Sequence, residues 1–396
     1  MRALVIAPQP FFSPRGTPFS VYYRTLITAE IGVQVDLLTY GEGENVAIPG
    51  VHIVRIPNFP LLRNIKIGPS WKKLFLDGFL FLWAVALILR TRFDIVHAHE
   101  EAVFFCRFLK PFWKFKLIYD MHSSLPQQLE NFSFTQSKFV QKIFERLEVS
   151  SLHAADAIIT ICPALADYVL GIIDDQNKHF LIENSIFEEV KLCSENGAGR
   201  KHAHVEPEAA LNACPPGRLL VVYSGTFEPY QGLDCFVRSF PTVLATEPRV
   251  FFLLIGGTPD QVKKYANLVA ELGVSSDCYF AGRVPPTTAR AYNGAAGVLV
   301  SPRITGTNTP LKIYEMLASG IPIVATNIYA HTQVLTEDVA FLVDPQPDKM
   351  ARGILEALRN SGQARIKTRA AAELYRSKYS RPVYESKIRK LLALLA

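Results

Sequence analysis

The sequence predicts an α/β protein of two doubly wound, Rossmann-like halves facing a central cleft. Three observations lead there. The 396 residues are enough for two domains of ordinary size. Short apolar runs alternate with longer helical stretches in both halves, as in the strand–helix–strand units of a parallel sheet. From about 190 to 218 the alternation lapses into Gly197, Gly199, Pro207, Pro215, Pro216 and Gly217 among mixed charges, which reads as a linker. In open parallel sheets, ligands bind beyond the carboxyl ends of the strands.

Taken in order, Ala3–Ala7 is an apolar strand that runs into the loop Pro8–Pro18, and a helical pattern covers about Phe19–Glu30. Val33–Thr39 and Val51–Arg55 read as strands, Leu74–Leu89 as a helix, and Ile95–His97 and Leu117–Asp120 as strands. A helix over about Ser137–His153 and a strand at Ala157–Ile161 complete the first half. The second half starts with a strand at Leu219–Tyr223 and one helix over about Leu233–Thr246. Strand Val250–Ile255, helix Pro259–Leu272 and strands Cys278–Ala281 and Gly297–Val300 follow. Then come a helix over Pro310–Ser319, strand Pro322–Thr326 and helix Asp348–Arg359. Ile366–Leu395 reads as a long helical tail, basic on one face. The expected divisions are 1–190, linker 191–217, 218–375, and a helix at 376–396 packing back on the N-terminal domain.

Composition narrows the function classes. Apolar residues make up 49% and charged residues 20%, which excludes a disordered chain. The six cysteines show no Cys-x2-Cys spacing, so a zinc site is not expected and reduced cytosolic thiols are. The N-terminal apolar run is too short for a signal peptide. The Leu74–Leu89 stretch falls short of the roughly 20 residues that span a bilayer and reads as a buried or interfacial helix. The net charge of +6 is modest, but Arg55–Lys116 holds eleven Lys/Arg against four acids, interleaved with Phe104, Phe105, Phe108, Phe112, Trp113 and Phe115. Such a mixture suits the surface of an anionic membrane, and equally a basic face over a buried core. No nucleic-acid motif is present, and no nucleic-acid partner is expected.

Four stretches could carry chemistry. Ser13–Pro18 holds Gly16 and Thr17 after the first strand, where a glycine admits a phosphate to the amides of the next helix. Asp94–Glu101 carries His97 and His99 on one strand end, two ligands where a metal needs more. Asp120-Met121-His122 closes another strand, where a histidine can hold a substrate hydroxyl or serve structure alone. The most specific stretch runs from Val300 through Arg303, Gly306, Thr307, Asn308, Thr309, Pro310, Leu311, Lys312 and Glu315 to Gly320 and Pro322. Thr307 or Thr309 would cap its helix, with Pro310 in the first turn. The free amides there form an anion site, flanked by Arg303 and Lys312. Glu315, about a turn and a half inside, could accept two vicinal hydroxyls such as those of ribose.

On these residues the chain resembles retaining GT-B glycosyltransferases of the family-4 type, nearly end to end. Gly16 matches their N-terminal donor loop, Asp94–His99 their Asp-x-Val-His-x-His strand, and His122 the histidine after the next strand. Gly225–Gly232, Leu254–Gly257 and Phe280–Val284 match their later loops. Pro310–Ala325 matches Pro-x-Lys-x-x-Glu-x-x-Ala-x-Gly-x-Pro-x-x-Ala. Thr307 stands where many members have a first glutamate, and Thr226 and Gln231 where many have the diphosphate-binding Arg and Lys. A subgroup with Asn-x-Pro-x-Lys-x-x-Glu shares these departures.

The resemblance implies transfer of a sugar from a nucleotide-diphosphate sugar to an acceptor hydroxyl, glycan or lipid-linked, with retention by front-face attack. It implies catalytic roles for His122 and Glu315. It implies donor contacts from Gly16, Thr17, Gly225, Thr226, Gly257, Arg283, Val284, Arg303, Thr307, Asn308, Thr309, Pro310, Leu311, Lys312 and Glu315. No cofactor is implied beyond the nucleotide-sugar substrate, and no metal, since no Asp-x-Asp stands in the chain. The expected location is cytoplasmic, peripheral on the inner face of a membrane. Two other readings remain: a sugar-nucleotide epimerase on the same fold, and an inactive donor-binding partner of another transferase.

Overall fold

A computed structural model describes residues 1–13, 16–59, 62, 70–124, 138–184, 187 and 214–396. The chain divides into two compact units, Met1–Gly197 with Arg381–Ala396, and Ala198–Ser380.

Unit one is a parallel sheet flanked by helices. Its strands are β1 (Arg2–Ala7), β2 (Gln34–Thr39), β3 (Val51–Arg55), β4 (Ile95–His99), β5 (Lys116–Met121), β6 (Ala157–Thr160) and β7 (His179–Leu181). Their spatial order is β3-β2-β1-β4-β5-β6-β7. Side chains alternate along β1: Leu4 and Ile6 enter one core, and Ala3, Val5 and Ala7 the other. The first core is roofed by α2 (Trp71–Arg90) and α3 (Ala102–Trp113), with α4 (Lys138–Ala154) and α5 (Pro163–Leu170) beyond them. The second core lies under α1 (Gly16–Glu30) and the returning Arg381–Leu395 helix. α3, α5 and β7 have no counterpart in the sequence-based element reading.

Unit two repeats the plan with β8 (Leu219–Ser224), β9 (Val250–Ile255), β10 (Cys278–Gly282), β11 (Val298–Ser301), β12 (Ile323–Thr326) and β13 (Phe341–Val343), in the order β10-β9-β8-β11-β12-β13. Its first helices are α6 (Leu233–Arg238), α7 (Phe240–Thr246), α8 (Pro259–Glu271), α9 (Pro286–Gly294) and α10 (Lys312–Ala318). They are followed by α11 (Tyr329–Thr332), α12 (Pro347–Arg359) and α13 (Ser361–Leu374).

Three expectations are corrected. The single helix over Leu233–Thr246 is two, broken at Ser239, because Pro241 has no N–H and can sit only in the first turn of a new helix. The tail splits into α13, a π-type turn at Tyr375–Tyr379, and α14 (Arg381–Leu395), with Ser380 extended ahead of Pro382. The helix expected from Pro310 starts at Lys312 after Leu311, which makes no side-chain cap, so neither Thr307 nor Thr309 caps it. Of the linker 191–217, all but the last four residues lie outside the described residues.

In each sheet the order reverses at one point, between β1 and β4 and between β8 and β11. Crevices beside the carboxyl ends of such pairs are where doubly wound sheets bind ligands.

Candidate functional site

Each unit carries a polar cluster at the carboxyl edge of its sheet. In unit one, β4 and β5 end together, with His99 opposite Asp120 in register. Asp120 is out of solvent. Its Oδ2 lies 2.6 Å from Nε of Arg24 on α1, 3.0 Å from His97 Nε2 and 3.4 Å from His99 Nδ1. Its Oδ1 lies 3.3 Å from His122 Nε2, and that nitrogen is 3.0 Å from His99 Nδ1. His97 and His99 stack at 4.6 Å. Arg24 also donates to the Ile182 carbonyl at 3.0 Å, and its guanidinium lies 5.9 Å from the ring centre of Tyr384 on α14.

Charge in this cluster follows from burial. Burial alone would raise the Asp120 carboxyl, but Arg24, His99 and His122 outweigh it and hold the group ionised, far below the usual carboxylate range. Burial lowers His122 to about 4 despite Asp120, so at neutral pH it is an uncharged imidazole that can exchange hydrogen bonds with a hydroxyl. His97, His99 and Asp120 form the one group of metal-ligand type among the described residues. Arg24 already occupies the Asp120 oxygen that a cation would need, so the set fits a buried ion pair better than a metal.

Beside it lies a second cluster that the sequence reading missed. Tyr40 donates to Asp77 of α2, and Lys73 pairs with Glu101. Burial and Glu101 raise Asp77 to about 8, and burial raises Glu100 to about 7. Glu100 adopts φ 48° and donates its N–H to the Asp120 carbonyl at 3.0 Å, which joins the two clusters.

In unit two, loops after β8, β9, β10 and β11 converge. Gly256 donates its N–H to the Gly282 carbonyl at 2.7 Å, and a Cβ on Gly256 would stand 1.9 Å from the Gly225 carbonyl oxygen. Gly232, at φ 72°, would put a Cβ 2.0 Å from the Pro302 oxygen. Only glycine lets these turns close on one another. Over them lies the Lys312 ammonium, out of solvent with no hydrogen-bond partner among the described residues, 4.3 Å from the Tyr223 ring centre. A Cβ on Gly225 would be 3.4 Å from Lys312 Nζ. Burial, then Arg303, lowers Lys312 to about 7. Arg303 packs over Tyr230 at 5.2 Å and donates Nε to the Thr305 carbonyl at 2.6 Å.

Glu315 lies in the first turn of α10, not a turn and a half inside, 3.8 Å from Arg290 and with its carboxyl raised by burial. Thr307 offers its carbonyl to Gln333 at 2.5 Å, and Thr309 Oγ1 has no partner among the described residues. Asn308, Pro310 and Leu311 complete the run into α10. Thr226 and Arg283 are exposed, Val284 half-buried and Gly257 buried, at the ends of β8, β10 and β9. Gln231, where the resemblance expected a cation, is buried with Oε1 unpartnered.

Unit two therefore joins Gly225, Arg303 and Lys312 at one crevice. Gly16 and Thr17 open α1 in unit one, the unit of His122. The sequence reading passed over Arg24 and His331. Arg24 was legible as the one charge amid Val21, Tyr22, Tyr23, Leu26 and Ile27. His331, buried behind the Arg303 loop, reaches Ser301 at 2.9 Å, and its sequence gives no such signal.

Comparison with known proteins divides along the same two halves. Residues 208–374 match the family described as Glycosyl transferases group 1, and residues 26–186 that described as Glycosyltransferase Family 4. Phosphatidyl-myo-inositol mannosyltransferase of Propionibacterium freudenreichii is 24% identical over 356 residues, 85% of this chain and 80% of that protein. The phosphatidylinositol N-acetylglucosaminyltransferase subunit of Arabidopsis thaliana is 21% identical over 90% of this chain and 74% of its own length. Among solved structures, sucrose-phosphate synthase from Thermosynechococcus elongatus superposes with a TM-score of 0.74 at 19% identity, covering 99% of this chain and 98% of that one. Anabaena Alr3699/HepE in complex with UDP gives 0.72 at 14% identity over 99% and 100%. The fold is GT-B, two Rossmann-like parallel-sheet domains.

Proposed function

From the premise that this chain is a GT-B glycosyltransferase of group 1 with a Family 4-like N-terminal half, we propose that it takes a sugar from a nucleoside-diphosphate sugar and passes it to a hydroxyl of a lipid-linked acceptor, with retention. One observation carries the donor half: the buried ammonium of Lys312 at the switch point of unit two, with no hydrogen-bond or ion-pair partner among the described residues. A buried cation without a counter-ion is costly unless an anion arrives. A diphosphate supplies that anion, and Arg303 and the amides at the start of α10 add to the binding. Glu315 holds the ribose hydroxyls. Alr3699/HepE, solved with UDP-glucose, is a structural neighbour with this fold.

The chemistry asked of the chain is electrostatic. As the glycosidic bond to phosphate lengthens, charge gathers on the leaving diphosphate, where Lys312 and Arg303 oppose it. With these cations in place, the reaction as proposed uses no metal. Neutral His122 holds a hydroxyl of the donor sugar, its ring fixed by Asp120, which Arg24 fixes in turn. The acceptor's own hydroxyl attacks on the face the diphosphate leaves. Glu100, joined to the histidine cluster through the Asp120 carbonyl, offers its carboxyl to an acceptor polyol. The lipid-linked acceptor is supported by the relatives' names, both of which specify phosphatidylinositol. It entails work at a membrane face.

Calorimetry with UDP, GDP and ADP, with and without EDTA, tests the donor site. One nucleoside diphosphate should bind in either buffer and be lost in Lys312→Ala. EDTA-sensitive binding, or no binding, refutes the reading. Incubation with the matching sugar nucleotide alone should give no epimer, and the anomer of the transferred product, read by NMR, tests retention.

A further inference from the structure

We propose that the outer face of α2 and α3 is an in-plane membrane anchor that docks on an anionic phospholipid bilayer. It deepens the reading above by naming where the lipid-linked acceptor is met. Vesicle binding is measured with neither donor nor acceptor present, so it succeeds or fails apart from that reading.

The argument begins with α2. Leu76, Leu80, Ala84 and Ile88 turn into the sheet core, as an amphipathic helix requires. The opposite stripe should then be polar, and it is not. Trp71, Phe75, Gly78, Leu82, Val85 and Leu89 follow one another at steps of four and three residues along the outward side. Trp71 is 76% exposed and Leu89 67%. At 1.5 Å per residue the stripe runs about 27 Å. α3 extends it sideways with Phe108 and Phe112, the latter 78% exposed. Between the helices lies a groove of about 590 Å³ whose walls, among them Phe81, Phe105 and Trp113, are almost wholly apolar. A continuous exposed face of this kind marks an interaction surface.

Charge selects the occupant. Lys72, Arg90, Arg92, Lys114 and Lys116 are exposed around these two helices, and none makes an ion pair among the described residues. Of the acids nearby, Asp77 and Glu101 are turned inward to Tyr40 and Lys73, and exposed Asp94 accepts the Arg2 backbone N–H. A 3–4 spacing could also seat a second copy of the same helix. Two copies would set five uncompensated cations against five, whereas an anionic headgroup layer neutralises them. No helix among the described residues is long and apolar enough to cross a membrane, so α2 lies in the interface with its apolar stripe among the acyl chains.

The protein carries its own probe. All three tryptophans, Trp71, Trp83 and Trp113, belong to α2 or α3, so intrinsic emission reports this face alone. The full chain is mixed with vesicles of phosphatidylglycerol and phosphatidylcholine, or of phosphatidylcholine only, at low and high salt. Flotation and tryptophan quenching by brominated acyl chains are read. The expected result is flotation and quenching with phosphatidylglycerol that weaken as salt rises. Arg90→Ala with Lys114→Ala should weaken binding by about 30-fold, from about fivefold per basic residue. Leu82→Glu with Phe112→Glu should abolish quenching and leave the circular dichroism melt in place, because both side chains sit outside the core. The proposal is overturned by absence of binding to anionic vesicles, by salt-insensitive binding equal on both compositions, or by unchanged binding of the glutamate variant. It is overturned equally if light scattering shows a dimer that the glutamate variant dissociates while vesicles go unbound.

Discussion

At the scale of single residues, Lys312 and Arg24 are opposite solutions to one problem, a cation in the interior. Lys312 has no counter-ion among the described residues and drops to about 7, against an ordinary 10.5, through burial and Arg303. A diphosphate bound beside it, as proposed, would restore the proton. Above pH 7 the free protein has lost that proton and the complex keeps it, so donor affinity should fall as pH rises from about 7 to 9. Calorimetry near pH 8 in buffers of different ionisation enthalpy should show uptake of about one proton, absent in Lys312→Met. That variant should melt no lower than the parent, since it removes a buried charge, while losing about 10- to 100-fold in nucleotide affinity. Arg24 has its counter-ion at 2.6 Å. Arg24→Met would strand Asp120 in the core and should cost about 3–5 kcal/mol of unfolding free energy, read by urea titration. Adding Asp120→Asn should recover much of that stability without recovering turnover, which separates the pair's role in placing His122 from its role in folding.

At the scale of elements, the helix start at Lys312 has a measurable consequence. Were Thr309 a cap, Thr309→Ala would cost about 1 kcal/mol. With Leu311 at that position and no side-chain cap, the substitution should shift unfolding by less than about 0.5 kcal/mol. Gly256→Ala should cost more and impair nucleotide binding, because its Cβ would collide with the Gly225 carbonyl under the diphosphate crevice. Much of this architecture was legible beforehand. β9 falls on Val250–Ile255 as read, since an all-buried strand is a plain apolar run bounded by turns. α3 was not legible: Pro111 stands inside it, and its half-buried and exposed sides carry Phe104, Phe105, Phe108 and Phe112, so an apolar outer face masks the Val103–Cys106–Leu109 spacing of its buried side. The loop chemistry after β11 could be read because glycine, proline and threonine declare themselves locally. The Arg24–Asp120–His122 arrangement could not, because its members lie far apart in sequence and meet only through sheet register.

For the molecule as a whole, both units hide histidines that stay neutral. Burial lowers His122 of unit one and His331 of unit two to about 4, from an ordinary 6.5. Between those values the unfolded chain binds protons at these two sites that the fold refuses, so the stability the neutral histidines contribute is lost as pH drops from about 6.5 towards 4, while Asp77 and Glu100, which the fold protonates, contribute the opposite slope. Relative to the parent, His331→Asn should gain urea midpoint on going from neutral pH to pH 5, because it lacks one of these refused protons.

The path of the chain adds a consequence in time. α14, which follows unit two along the chain, belongs to unit one: Ile388, Leu391 and Leu392 fill its core, and Tyr384 lies against Arg24. Domains ordinarily fold in turn as they leave the ribosome. Here unit one lacks α14 until the whole of unit two has been made. Unit two has all of its described strands and helices, β8 to α13, before then. Unit two can thus close before unit one does, and the Arg24–Asp120 pair gains its Tyr384 neighbour only after unit two has been synthesised.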